Sequence, residues 1–118
     1  MLLRQIVETT NARLLSAGPD LAGEVRSGFA SDLMSDVLRF DLTQGLLLTG
    51  LTNPQIVRTA EIADASAILM VRGKDPHPET LYLAGQVGIP VFATDLTMFE
   101  ACGRLFEAGL RACALREE

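Results

Sequence analysis

Ala67-Ile68-Leu69-Met70-Val71 is apolar at every position and runs straight into Arg72-Gly73-Lys74. A strand with one face in water alternates apolar and polar side chains. An unbroken run of this length instead fits a strand covered on both faces, as in a parallel sheet with helices on each side. Downstream, the loop Arg72 to His77 leads to Pro78, which opens a helix through about Gln86 that Gly88 ends. Ile89 to Ala93 reads as the next strand, followed by Thr94-Asp95. Thr97 with Glu100 has the spacing of a capping box. The last helix is expected to turn Phe99, Cys102 and Phe106 inward. It should stop at Gly109, with Leu105 and Leu110 in a Schellman-type contact.

Upstream, Asn53-Pro54 reads as the N-cap and first position of a helix to about Ala63. That helix buries Ile56, Val57, Ala60 and Ala63 and turns Arg58 and Glu61 to water. Before it stand the apolar strand Leu46 to Thr49 and the turn Asp41 to Gly45. Earlier still comes Gly28-Phe29-Ala30-Ser31-Asp32-Leu33-Met34-Ser35-Asp36-Val37-Leu38. This stretch reads as a strand (Val25 to Ala30) entering a short helix, with Ser31 and Ser35 on one helical face and Asp32 and Asp36 on another. An interior glycine such as Gly28 marks a bulge or a close approach of backbone or ligand. A polar loop from Asp20 to Glu24 and a turn at Gly18-Pro19-Asp20 precede it. A brief strand from Ala12 to Leu15 and a helix from Leu2 to Thr9, with the stripe Leu3, Ile6, Val7, complete the chain.

The strand starts near Val25, Leu46, Ala67 and Ile89 lie about 21 or 22 residues apart, the length of a strand, a short helix and two tight loops. The rhythm predicts an α/β fold: a small, open, mostly parallel sheet of about four to five strands flanked by helices. Side-chain identities do not repeat with it, so it is architecture rather than duplication. No composition break divides residues 1–118, which read as one domain.

With 48% hydrophobic and 21% charged residues, the 118-residue chain is expected to fold. Its apolar runs are too short to span a bilayer, and Met1-Leu2-Leu3-Arg4-Gln5 is unlike a signal peptide, so the expected location is the cytoplasm. A net charge of −5, no basic run and no tryptophan argue against nucleic acid or an anionic membrane as partner. One histidine and two cysteines cannot furnish a four-ligand zinc site, so neither metal nor cofactor is expected. Cys102 and Cys113 read as reduced core thiols rather than as the disulfide that their number would also allow. Lys74 is followed by Asp75 with no glycine five residues before Gly73, so the loop is no P-loop. Neither G-x-G-x-x-G nor G-x-S-x-G occurs.

Ligands of parallel sheets bind beyond the carboxyl ends of the strands, where helix N-termini also point. The candidate ligand-binding residues there are Ser31, Asp32, Ser35, Thr49, Thr52, Asn53, Arg72, Gly73, Lys74, Thr94 and Asp95. Each has a structural reading beside the functional one. Ser31 and Asp32 read first as helix caps, Thr52-Asn53 as a turn and N-cap, His77 as an N-cap, and Arg72-Gly73-Lys74 as either a surface turn or two cations at a strand end. No residue is assigned to catalysis.

The stretch Val25 to Val37 resembles the DRTGG domain family. The resemblance continues through the Leu46 to Thr49 strand, Ala67 to Gly73, Gly88-Ile89-Pro90-Val91, and Phe99 to Leu110. Glu24-Val25-Arg26-Ser27-Gly28 stands about where the family's naming residues would lie and departs from them. The resemblance implies a domain similar to the N-terminal domain of HPr kinase/phosphorylase. Its relatives accompany phosphotransacetylases and CBS-domain pyrophosphatases in regulatory or assembly-forming roles. The kinase activity does not follow, because the P-loop of that enzyme lies in its other domain. The expected function is therefore a non-catalytic regulatory or ligand-sensing domain, homodimeric, taking a small anionic metabolite or nucleotide at the strand ends. The alternative is an assembly module for a second copy or a partner protein without a small ligand. A phosphotransfer subunit using Asp32 or Asp36 to position magnesium ranks third.

Overall fold

Five strands form one sheet in the order β1-β5-β4-β3-β2. The computed structural model describes residues 1–16 and 21–115; the turn expected at Gly18-Pro19-Asp20 lies outside them. In chain order the elements are α1 (Leu3–Thr10), β1 (Arg13–Leu14), β2 (Ser27–Ala30), α2 (Met34–Val37), β3 (Gly45–Thr49), α3 (Pro54–Ile62), β4 (Ala67–Met70), α4 (Pro78–Val87), β5 (Val91–Ala93) and α5 (Met98–Glu107). Strands β2 to β5 are parallel, and β1 adds antiparallel to the outer edge of β5. The fold is α/β with a mixed, mostly parallel sheet, as the strand rhythm predicts.

Strand period decides which side chain enters which layer. Leu47, Ile68, Met70, Val91 and Ala93 join Val37, Ile56, Val57, Ala60 and Ala84 on one face of the sheet, under α2, α3 and α4. Their neighbours Leu46, Leu48, Ala67, Leu69, Val71 and Phe92 join Leu3, Ile6, Ala101, Leu105 and Leu110 on the other, under α1 and α5. All residues of β3, β4 and β5 are buried. Parallel strands added in one direction place their crossover helices together on one face, and that leaves the opposite face to the terminal helices. The all-apolar run at Ala67 is thus accounted for.

Backbone chemistry stops the helices where the sequence signals it. Leu110 N–H donates to Leu105 O at 3.0 Å and Gly109 N–H to Phe106 O at 3.1 Å, with Gly109 at φ 112°. That is the Schellman pair, and Leu105 and Leu110 are both buried beside it. Asn53 and His77 occupy N-cap positions by their extended dihedrals, each followed by proline, but neither side chain makes the capping bond. Thr97 does, accepting from Glu100 N–H at 3.3 Å. The Glu100 side chain turns instead to Arg104, at 2.8 Å.

Two expectations need correction. Phe99 and Phe106 do not face inward, being 90% and 60% exposed; Ala101 and Leu105 fill the interior. The hydrophobic spacing fits both faces of α5, and the face carrying Ala101 and Leu105 is the one that packs on the sheet. The helix after β2 is also shorter than expected. It begins at Met34 with Leu33 as N-cap, so Ser31 and Asp32 lie before it and share no helical face with Ser35 and Asp36.

The exposed edge of β2 is covered by the chain's own return. Gly28 N–H donates to Arg111 O at 2.9 Å, Cys113 N–H donates to Gly28 O at 3.2 Å, and Asp41 N–H donates to Ala114 O at 2.8 Å. A tail laid along an edge removes the unpaired amides that would otherwise recruit another strand.

Candidate functional site

Asp32 is no helix cap. Its carboxylate reaches sideways from the end of β2 to the ends of two neighbouring strands. Oδ1 accepts from Gly50 N–H at 2.7 Å and from the Thr49 hydroxyl at 3.0 Å, while Oδ2 accepts from the Arg72 guanidinium at 3.1 Å. Parallel register explains the meeting, since Ala30 pairs with Leu48 and Thr49 pairs with Met70. Residues just beyond those pairs must stand side by side on one rim. Burial alone would raise the Asp32 carboxyl; the Gly50 amide, Arg72 and the Thr49 hydroxyl outweigh it and hold it below the usual carboxylate value.

Arg72 is placed by its backbone. It adopts a left-handed φ of 66°, followed by Gly73 at 63°. Its N–H donates to Leu96 O at 2.8 Å, and Gly73 N–H donates to Thr94 O at 2.9 Å, which pins the turn against the end of β5. A Cβ on Gly73 would stand 2.9 Å from Asp95 Oδ1. The side chain then returns across Gly50, where any Cβ would collide with the guanidinium. Arg72 and Asp32 keep side-chain exposures of 40% and 42%. The pair is therefore open to solvent, and the Arg72 side chain makes no other hydrogen bond among the described residues.

The remaining candidates divide around this centre. Thr52 O accepts from the Thr80 hydroxyl at 2.7 Å and from His77 N–H at 3.2 Å, tying the start of α3 to the start of α4. Asn53 carries a buried side-chain oxygen without a partner among the described residues. Thr94 is structural: its hydroxyl donates to Thr10 O at 2.7 Å, and Asp95 pairs with Arg13 at 3.3 Å. Ser31 Oγ accepts from Leu33 N–H at 3.0 Å, closing the turn before α2, whereas Ser35 and Lys74 are exposed and stand apart from the cluster. Of the candidates, the structure brings together Asp32, Thr49 and Arg72. It adds Gly50, which the sequence reading passed over although a glycine directly after a strand signals close approach.

Among the described residues no group of three or more histidine, cysteine, aspartate or glutamate side chains is placed to hold a metal ion. Among the described residues no helix is long and apolar enough to cross a membrane. Both cysteines are free and half-buried, and burial pushes both thiols up; at Cys113 the Asp41 charge adds to the rise while its own backbone amide opposes it.

Three layers with polar loops gathered at the carboxyl ends of β2, β3 and β4 make up a small α/β domain. The same fold is found in the crystal structure of the CBS and DRTGG domains of the regulatory region of a Clostridium perfringens pyrophosphatase, complexed with its activator diadenosine tetraphosphate. The TM-score is 0.68 at 16% identity, over 88% of this chain and 45% of that one. The chain thus spans less than half the length of the structure it matches. No family model and no curated protein sequence matches it.

Proposed function

We propose that the chain is a DRTGG-like regulatory domain that senses a small phosphate-bearing metabolite or nucleotide at the Asp32–Arg72 rim, without catalysing a reaction. The observation that carries this reading is Arg72. A left-handed backbone and a side-chain-free surface at Gly50 hold its guanidinium at the strand ends, with a hydrogen bond to Asp32 and the side chain 40% exposed to solvent. A guanidinium presents several donors in a planar fork, so an anion can bridge it while Asp32 keeps it oriented. The start of α3 supplies backbone amides nearby in sequence. The likeness to a regulatory region that holds a dinucleotide activator supports the ligand class.

A thermal-shift screen of nucleotides and phosphorylated metabolites tests the reading. A ligand at a hundredfold excess over Kd stabilises by about 2.7 kcal/mol, an easily read shift. Arg72→Gln should remove it. No shift with any compound at millimolar concentration would defeat the proposal.

A second reading is favoured by α5. Phe99 and Phe106 are exposed two turns apart, with the exposed Gly103 between them and nothing standing over its α-carbon. Such a face suits close approach of the same helix from a second copy. Light scattering across a concentration series separates a homodimer from a monomer, and Phe99→Ser should shift the balance to monomer.

A further inference from the structure

On the α5 side of the sheet lies a cavity of about 190 Å³. Its walls are Gly28, Ala30, Leu48, Cys102, Leu105 and Leu110. Ala30 on β2 leaves room in the layer, because only its methyl stands where a larger side chain would fill it, while Leu110 packs over Gly28. A Cβ on Gly28 would already stand 3.0 Å from Leu110 Cδ2. An apolar cavity of roughly 150 Å³ stays dry and accepts benzene, so this one has room for an apolar body of ring size.

The open side is framed by Phe106 and Arg111. The Arg111 guanidinium lies 4.7 Å from the centroid of the Phe106 ring, and its Nη1 donates to Phe106 O at 3.2 Å. Pairing of the tail with β2 through Gly28 fixes where Arg111 stands. Arg111 is the charged residue of the lining. We propose that this cavity binds a small aromatic or branched-chain monocarboxylate, its apolar body between β2, β3 and α5 and its carboxylate on Arg111. Volume sets the size of the body. The lining excludes polar atoms from the interior, and the guanidinium, already stacked on a ring and exposed, supplies the counter-charge at the mouth. The cavity is independent of the Asp32–Arg72 rim.

Benzoate and benzyl alcohol, followed by amide chemical shifts of the full chain, test the proposal. Benzoate should move the amides of Gly28, Ala30, Leu48 and Leu105 and bind about tenfold more tightly than benzyl alcohol. Arg111→Gln should abolish that preference while benzyl alcohol binds as before. Cys102→Leu, which fills the cavity, should weaken both ligands at least tenfold; should that variant not fold, Ala30→Val serves the same purpose. The proposal is overturned by a silent titration at millimolar benzoate or by shifts confined to the residues around Gly50 and Arg72. Retention of the benzoate preference in Arg111→Gln, or unchanged affinity in the filled cavity, overturns it equally.

Discussion

The guanidinium of Arg72 occupies the space over Gly50 that any other residue would fill with its Cβ. Gly50→Ala should therefore displace Arg72 from Asp32 without unfolding the protein. Gly50 does not adopt a positive φ, so alanine is conformationally acceptable there and gains about 0.4–1 kcal/mol through the unfolded chain. Loss of a half-exposed ion pair costs about 0–1 kcal/mol. The two nearly cancel. The expected result is an unchanged urea midpoint with lost affinity for any phosphate-bearing ligand, read in the same thermal-shift screen.

Asp32 should make the protein sensitive to acid. Its folded-state pKa lies below the unfolded value, so the carboxylate stabilises the fold above the unfolded pKa, and that contribution is lost as pH falls through the folded one. Against Asp32→Asn, the wild type should be more stable at pH 7. The gap should begin to close near pH 4 and vanish below it. Urea unfolding of both proteins at a series of pH values measures this; a gap that widens in acid contradicts the assignment.

The two faces of α5 should respond in opposite ways. Leu105→Ala opens the buried layer over β3 and should cost about 2–5 kcal/mol. Phe99→Ser removes a side chain that is 90% exposed and should change monomer stability by no more than about 0.5 kcal/mol. Denaturant midpoints at low protein concentration compare them. Equal losses would mean that Phe99 packs inward after all.

Cys102 and Cys113 should alkylate slowly. Burial raises both thiols above their ordinary values, so little thiolate exists at neutral pH. Iodoacetamide labelling at pH 7 should lag behind a free thiol and accelerate on unfolding, as mass spectrometry would show.

Much of this was legible because it is local. Gly88, Gly109, Pro54 and Pro78 act on their own turns, and all stand where their chemistry places them. The apolar run from Ala67 reports two covered faces whatever the fold around it. The identity of the buried face of α5 was not legible. Phe99 and Phe106 satisfy helical spacing as well as Ala101 and Leu105 do, and only packing against the sheet separates them, with Cys102 half-buried beside the inward pair. Ser31 and Asp32 were misread for a related reason. Capping is a local habit of those residues, and Asp32 forgoes it for partners 17 to 40 residues away.

The sequence by itself determined the strand rhythm, the helix stops, and the set of polar residues at the strand ends. These follow from backbone preferences and the alternation of side chains, which act over a few positions. Only the tertiary structure decided that Asp32, Thr49, Gly50 and Arg72 meet while Ser35, Lys74 and Asp95 stand elsewhere. Their meeting depends on the register of three parallel strands and on a left-handed turn at Arg72. Neither is encoded in any one stretch, because register is settled by the two buried layers acting together.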